Sequence, residues 1–430
     1  MNFLPADPLL LLILLLPLVG WLGWIIGRHA TARRSGARVT ELSSHYFRGL
    51  NYLLNEQPDK AIDAFIEVAR LDPETTELHF ALGSLFRRRG ETERAIRVHQ
   101  NLVNRPDLPP NERDHALFEL GQDFLRAGLL DRAEESLRML MEGTFAEPAK
   151  RVLLELYEVE KEWRKAIEAA RELQKLQGKD HVVQIAQFCC EVAQEALQRK
   201  DVLTAIEWLE RALQENPKNV RATIQLGDVA QGQGDVEGAI KRWRSIEQQN
   251  TAFLPLVAER LMKAYTQLGR AAEGLAWLRS KMDARLGPEL LDTVYKYELD
   301  VHGIDDAVAL MRDQIRRQPS LMALTRLVEA EATRASEAVG HEAPATADVA
   351  ESALADPVEA GGNADIQRAQ DLGAIRDLLQ SRTRNLARYT CQECGFRARL
   401  FYWQCPGCNR WETYAPRRTE TLGGSGGASM

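Results

Sequence analysis

The alternation of apolar and polar positions changes character several times along the chain. Pro8 to Gly27 gives 20 residues without a charge, most of them Leu, Ile, Val or Trp. From residue 44 to about residue 320 the apolar positions keep a helical spacing, interrupted only by short Gly or Pro punctuation. Between residues 335 and 363 large apolar side chains almost vanish, and Ala, Glu, Gly and Pro replace them. Such a stretch cannot bury a core and predicts a mobile linker. Residues 364–388 return to an amphipathic helix with Ile366, Leu372, Ile375, Leu378 and Leu379 on one stripe. That stripe is expected to dock the C-terminal segment onto the end of the helical region. Residues 389–418 are dense in aromatic residues and cysteine, and residues 419–430 form a Gly- and Ser-rich tail expected to be disordered.

The middle region repeats itself, and the repeat decides the fold class. A small residue recurs at Ala61, Ala95, Ala133, Ala166, Ala205, Ala239, Gly274 and Ala307, at gaps of 34, 38, 33, 39, 34, 35 and 33. A tetratricopeptide unit is a helix–turn–helix of about 34 residues. Other positions hold the same phase. A glycine stands five before the small residue at Gly90, Gly128, Gly234 and Gly269, and another twelve before it at Gly49, Gly83, Gly121 and Gly227. A large residue stands four after it at Phe65, Leu137, Leu209, Trp243 and Leu278, and proline closes the unit twelve after it at Pro73, Pro217 and Pro319. Small side chains let helices approach, glycine takes the left-handed turn, and proline ends the second helix for want of an N–H. The prediction is all-α: a tetratricopeptide α-solenoid of about eight units over residues 44–334, the fourth and fifth the most degenerate. Such arrays offer a groove lined by the first helix of each pair. In the early units the groove would include Tyr46, Leu50, Phe80, Ser84, Arg87, Arg88, Phe118 and Gln122. Cys189 and Cys190, inside a helix of the array, are expected to be buried thiols acting as small hydrophobes.

The first apolar run has the length of a bilayer core, since 20 helical residues span about 30 Å. Trp21 and Trp24 sit near one end, where amphipathic rings favour an interface. No basic segment precedes the run and no small-residue cleavage site comes after it, so residues 1–27 predict an anchor rather than a cleaved signal. Pro17 is tolerable within such a span. Residues 28–43 carry Arg28, Arg33, Arg34 and Arg38 ahead of any acid, whereas only Asp7 is charged before the run. The positive-inside rule then expects a single-pass protein whose bulk is cytoplasmic.

Composition narrows the chemistry. A net charge of −7 over 430 residues argues against non-specific nucleic-acid binding, which needs a basic face. Six cysteines are too few for a disulfide scaffold, and four of them cluster between Cys391 and Cys408. Cys391-Gln-Glu-Cys394-Gly395 and Cys405-Pro406-Gly407-Cys408 place four thiolates within reach of one tetrahedral ion, zinc or iron. Gly395 marks a turn back whose N–H groups can face sulfur, and Pro406 stiffens the second turn. Tyr389, Phe396, Phe401, Tyr402, Trp403, Trp411 and Tyr414 are expected to pack around the site. So small a domain lacks core of its own, and a structural metal would supply on the order of 10 kcal/mol of folding energy. The two knuckles resemble those of rubredoxin, with a shorter intervening loop and Asn409 where a glycine usually stands. Both departures favour a structural ion over electron transfer, and Asn tolerates the left-handed turn. No catalytic constellation stands out. Gly232-Gln233-Gly234 with Gly238 lies in a repeat turn, has the wrong spacing for a phosphate loop and is preceded by no strand.

Anchor, array and knuckle in this order resemble the lipopolysaccharide assembly protein B family. The residues that carry the likeness are Cys391-x-x-Cys394-Gly395-Phe396, Trp403-Gln404-Cys405-Pro406 and Trp411, and it extends over nearly the whole chain. The 335–363 segment departs from it as an insertion. The resemblance implies a non-enzymatic adaptor at the inner membrane of a Gram-negative cell. It would help the protease FtsH degrade LpxC, the deacetylase that commits flux to lipid A, and work with lipopolysaccharide assembly protein A. Cys391, Cys394, Cys405 and Cys408 carry over as metal ligands. Two other functions compete: a rubredoxin-like electron carrier, and a general membrane-tethered co-chaperone. Self-association into a homo-oligomer is open as well.

Overall fold

Helix–turn–helix pairs succeed one another through the computed structural model, which describes residue 21 and residues 46–71, 75–178, 181–282, 287–341, 359–383 and 389–416. Two compact units divide the chain, Met1–Lys179 and Asp180–Met430. The first holds α1 (residues 46–54), α2 (Pro58–Leu71), α3 (Thr76–Arg88), α4 (Thr92–Val103), α5 (Pro110–Arg126), α6 (Leu130–Arg138), α7 (Ala146–Glu160) and α8 (Trp163–Gln177). In the second, α9 (Val182–Gln198) pairs with α10 (Val202–Glu215) and α11 (Val220–Gly232) with α12 (Val236–Gln249). A 3-10 helix, Thr251–Leu256, leads into α13 (Ala258–Gln267) and α14 (Ala271–Ser280), then α15 (Gly287–His302) and α16 (Ile304–Arg317).

The small residues sit where the repeat demands them. Ala61, Ala95, Ala133, Ala166, Ala205, Ala239 and Ala307 are each 0% exposed on a second helix, and Gly274 is buried on α14. The glycine and the large residue of the repeat turn out to be contact partners. A Cβ on Gly49 would lie 2.6 Å from the Phe65 ring, on Gly121 2.8 Å from Leu137, and on Gly227 2.2 Å from Trp243. In these pairs the first helix is hollowed so that the second can insert one large side chain. In the pair α3/α4 that side chain is His99, which stands over Gly83.

The turn before the second helix is left-handed even where glycine is missing. Gly90, Gly128, Gly234 and Gly269 have φ of +80°, +73°, +87° and +71°. Glu56, Lys161 and Lys200 occupy the same repeat position with φ of +54°, +60° and +62°. Residues that pay for this conformation explain why the fourth and fifth units look degenerate by composition while keeping the geometry. The Gly232–Gly238 segment is one such turn, with the Gly238 N–H capped by Asp235 at 2.9 Å.

Beyond the eighth pair, α17 (Leu321–His341) packs on α16 and α15, and α18 (Glu359–Thr383) packs on α17. Both ends of the expected 335–363 linker are therefore helical. Alanine and glutamate are strong helix formers, and the start of α17 is pinned by buried Met322, Ala323 and Ala330. The stripe expected on residues 364–388 is divided: Leu372 and Leu379 are half-buried, whereas Ile366, Ile375 and Leu378 are exposed. A helix resting on one neighbour buries only a narrow line. The expected span Pro8–Gly27 lies outside the described residues except Trp21, as do residues 28–43 and 419–430. Among the described residues no helix is long and apolar enough to cross a membrane.

Candidate metal centre

Three short strands frame the four cysteines. β1 (Tyr389–Cys391) lies between β2 (Arg397–Ala398) and β3 (Tyr414–Pro416), all antiparallel. Two turns of the same design carry the thiols. In the first, the Cys391 N–H donates to the Phe396 carbonyl at 2.9 Å and the Gly395 N–H to the Cys391 carbonyl at 3.0 Å. In the second, the Cys405 N–H donates to the Arg410 carbonyl and the Asn409 N–H to the Cys405 carbonyl, both at 2.8 Å. Gly395 and Asn409 adopt φ of +73° and +57°, so asparagine takes the place of the missing glycine. The N–H of Gly395 serves a carbonyl; the N–H groups facing sulfur come from Glu393 and Cys394 to Cys391, Phe396 to Cys394, Gly407 and Cys408 to Cys405, and Arg410 to Cys408.

The thiols fit one ion. All four sulfurs lie within 4.8 Å of one another, with Cys391 Sγ 3.8 Å from Cys408 Sγ and Cys394 Sγ 3.6 Å from Cys405 Sγ. A tetrahedron of thiolates about 2.3 Å from zinc has edges of about 3.8 Å. Electrostatics favour thiolate at Cys391 and Cys405, the two buried positions. Burial raises the Cys391 thiol, but the Thr413 hydroxyl and the N–H groups of Cys394 and Glu393 outweigh it and hold it at about 6. At Cys394 the Phe396 N–H favours the thiolate, yet partial desolvation and hydrogen bonds to neighbouring sulfurs push it up to about 12. A bound cation removes that competition, because sulfurs that share protons when free can all ionise towards it.

Of the seven aromatics expected around the site, Tyr389, Tyr414 and Phe401 cluster with Cys391 and Cys405, whereas Trp403 and Trp411 turn to the helices of the array. Tyr389, Trp411 and Tyr414 are buried, while Phe396 and Tyr402 are exposed at 43% and 38%. Phe401 and Trp403 are half-buried and pack onto the helices of their own unit. Trp403 stacks on Phe253 of the 3-10 helix with centroids 5.9 Å apart, Phe401 meets the same ring edge-on at 6.1 Å, and Trp411 meets Phe188 of α9 edge-on at 6.0 Å.

A polar relay runs beside these rings. Glu412, at φ +57°, turns its carboxylate onto α9 and the start of α11, where Gln187 Nε2 donates to it at 2.6 Å and Asn219 Nδ2 at 3.3 Å. Asn219 also caps α11, accepting from the Ala222 N–H at 2.8 Å, so one side chain starts the helix and holds the knuckle. Gln187 Oε1 accepts from Arg221, which is paired with Glu191 at 2.8 Å and lies against the Trp403 ring. Burial raises the Glu412 carboxyl, and the Gln187 bond offsets this only in part. Glu412, Gln187, Asn219 and Arg221 belong to no motif; an N-cap asparagine at Asn219 is the one local signal.

Cys189 and Cys190 are buried, and burial pushes the Cys190 thiol up. They lie on α9 and take no part in the four-sulfur cluster. Of the expected groove residues, Leu50, Phe80, Ser84, Arg87, Phe118 and Gln122 are half-buried on first helices, whereas Tyr46 and Arg88 are exposed. Phe80 stacks on His115 at 4.0 Å, and His115 on Phe145 at 5.2 Å.

Residues 389–416 match a family described as the rubredoxin metal binding domain, and residues 48–109 and 196–259 match tetratricopeptide repeat families. The chain is 32% identical over 414 residues to lipopolysaccharide assembly protein B of Escherichia coli (strain K12), covering 95% of this chain and 98% of that protein. It is 28% identical over 415 residues to the protein of the same name from Haemophilus influenzae, covering 94% and 98%. Among solved structures, the crystal structure of MamA is 24% identical with a TM-score of 0.27, over 39% of this chain and 94% of that one.

Proposed function

This chain belongs to the lipopolysaccharide assembly protein B family, a family of tetratricopeptide adaptors rather than enzymes, and from that premise we propose that it regulates lipopolysaccharide synthesis by bringing a target to a membrane protease. The observation that carries this is the near end-to-end match to a relative of that name. In this reading the first-helix faces hold protein partners, among them LpxC, FtsH and lipopolysaccharide assembly protein A. Residues 1–27 anchor the molecule in the inner membrane with its bulk cytoplasmic, which raises the effective concentration of target near protease.

Cys391, Cys394, Cys405 and Cys408 would hold one ion, zinc or iron, which supplies folding energy and, with four thiolates, leaves no open position for substrate. The chain's own residues do the rest. Backbone N–H groups orient the sulfurs, and Trp403, Trp411 and Glu412 seat the knuckle on the array.

The test is depletion of the protein in its own host, with the half-life of LpxC measured after synthesis is blocked. A longer half-life is expected. An unchanged half-life rejects the lipid A role and leaves the general co-chaperone. Removal of residues 1–27 is expected to give soluble protein that complements poorly; full complementation would reject the anchor.

A further inference from the structure

The side chains that seat the knuckle all lie in segments whose shape the four cysteines set. Phe401 and Trp403 stand between Cys394 and Cys405, and Trp411 and Glu412 come a few residues after Cys408. Exposure alternates along that loop: Leu400 and Tyr402 point to solvent, Phe401 and Trp403 to the array. The two segments are joined by the Gln404–Trp411 bridge and by the Glu412 N–H, which donates to the Trp403 carbonyl at 2.8 Å. The bridge encloses the Cys405–Cys408 turn. The docking rings are thus held at their spacing by the turn that the ion would hold.

The surface beneath is poorly suited to standing bare. Gln187 and Asn219 are 0% exposed and Arg221 is 7% exposed where the knuckle meets them, and Phe188 and Phe253 are buried beside them. Gln187 keeps one amide end on Arg221 and gives the other to Glu412. Losing the cover would leave polar groups and two aromatic rings facing water on one side of the array.

We propose that the metal site gates this stretch of the array. With the ion bound, the knuckle is the resident ligand of the face formed by α9, α11 and the 3-10 helix. Without it, Phe401, Trp403, Trp411 and Glu412 lose their common geometry, and the face opens. Metal supply or thiol chemistry at the four cysteines then sets how much binding surface the array displays. This rests on the metal reading of the cysteines and not on the lipopolysaccharide role, so it can fail or hold independently of that role.

The experiment is hydrogen exchange on the full chain, metal-loaded and metal-stripped, with metal content checked by atomic emission. Stripping is expected to speed exchange about tenfold or more in peptides from α9, α11 and the 3-10 helix, with α4–α6 and α16 unchanged. Unchanged exchange in the three covered segments overturns the proposal, and so does a uniform loss that includes α4–α6 and α16. Trp403→Ala keeps all four thiols. It is expected to give the same local loss around residues 251–256 with one ion per chain still bound. Full protection in that variant, or loss of the ion along with the protection, overturns the view that the gate works through this ring.

Discussion

The first-helix faces of the two units are built on one repeat and finished differently. In Met1–Lys179 the face carries half-buried Phe80, His115 and Phe118, together with a charge network centred on Asp123. Buried His99 Nδ1 meets Asp123 Oδ2 at 2.5 Å, and Arg87 bonds both Asp123 at 2.7 Å and Glu119 at 2.6 Å. In Asp180–Met430 the same kind of face carries amides and an arginine whose partners include the chain's own C-terminal domain. The repeat therefore fixes where helices cross, and the polar residues on the first helices decide what the face can hold. One unit pairs its buried Asp123 with His99 and Arg87 of its own helices; the other pairs Gln187 and Asn219 with Glu412 of the four-cysteine domain, 193 positions from Asn219.

The largest effect should come from the insert. Cys391→Ser with Cys394→Ser is expected to remove a folding contribution on the order of 10 kcal/mol, unfolding the knuckle while the helices of Met1–Lys179 stay folded. Metal analysis with hydrogen exchange checks this; normal metal content would contradict it. In the other unit Asp123→Ala strips a buried partner from both His99 and Arg87, and about 3–5 kcal/mol of destabilisation is expected. Chemical denaturation with probes in each unit would locate it. A loss felt equally in the C-terminal unit would break the contrast between the two faces.

Acid gives a third handle. Burial works against the Glu119 carboxylate, but hydrogen bonds from His115 and Arg87 hold its carboxyl at about 2, below its ordinary 4.5. Because the folded value is the lower one, its contribution is fully present above about 4.5 and fades as pH falls towards 2. Wild-type protein is expected to lose stability in Met1–Lys179 over that window, and Glu119→Gln to flatten the loss. Glu412 is the opposite case. Its raised carboxyl means that docking is favoured slightly by protonation, so Glu412→Gln is expected to keep the knuckle seated. The smallest effect concerns the turns: Lys161→Gly and Lys200→Gly should each stabilise by about 1 kcal/mol, since glycine takes a positive φ without strain. Melting temperatures would show it.

Much of the fold is legible in the sequence because the repeat writes itself locally. Ala61 to Ala307 and the Gly227–Trp243 spacing encode contacts within one helix pair, and the turn glycines encode the left-handed turn between its helices. The metal ligands are legible for the same reason, as two C-x-x-C turns. His99 escapes the pattern because it takes a slot usually filled by a large apolar residue, and its partner Asp123 lies in the next pair. The docking set escapes it because Gln187 and Glu412 are 225 positions apart and neither belongs to a motif. The helical ends of the 335–363 segment escape it for a different reason. A composition without large apolar residues cannot order alone, whereas α17 and α18 support each other.

The central claim is that the C-terminal domain is a ligand of its own array. A double-mutant cycle of Trp403→Ala and Phe253→Ala in the metal-loaded full chain tests it most directly. A coupling of about 0.5–1.5 kcal/mol in chemical unfolding is the result expected for a stacked pair in contact. Strict additivity of the two substitutions would contradict it.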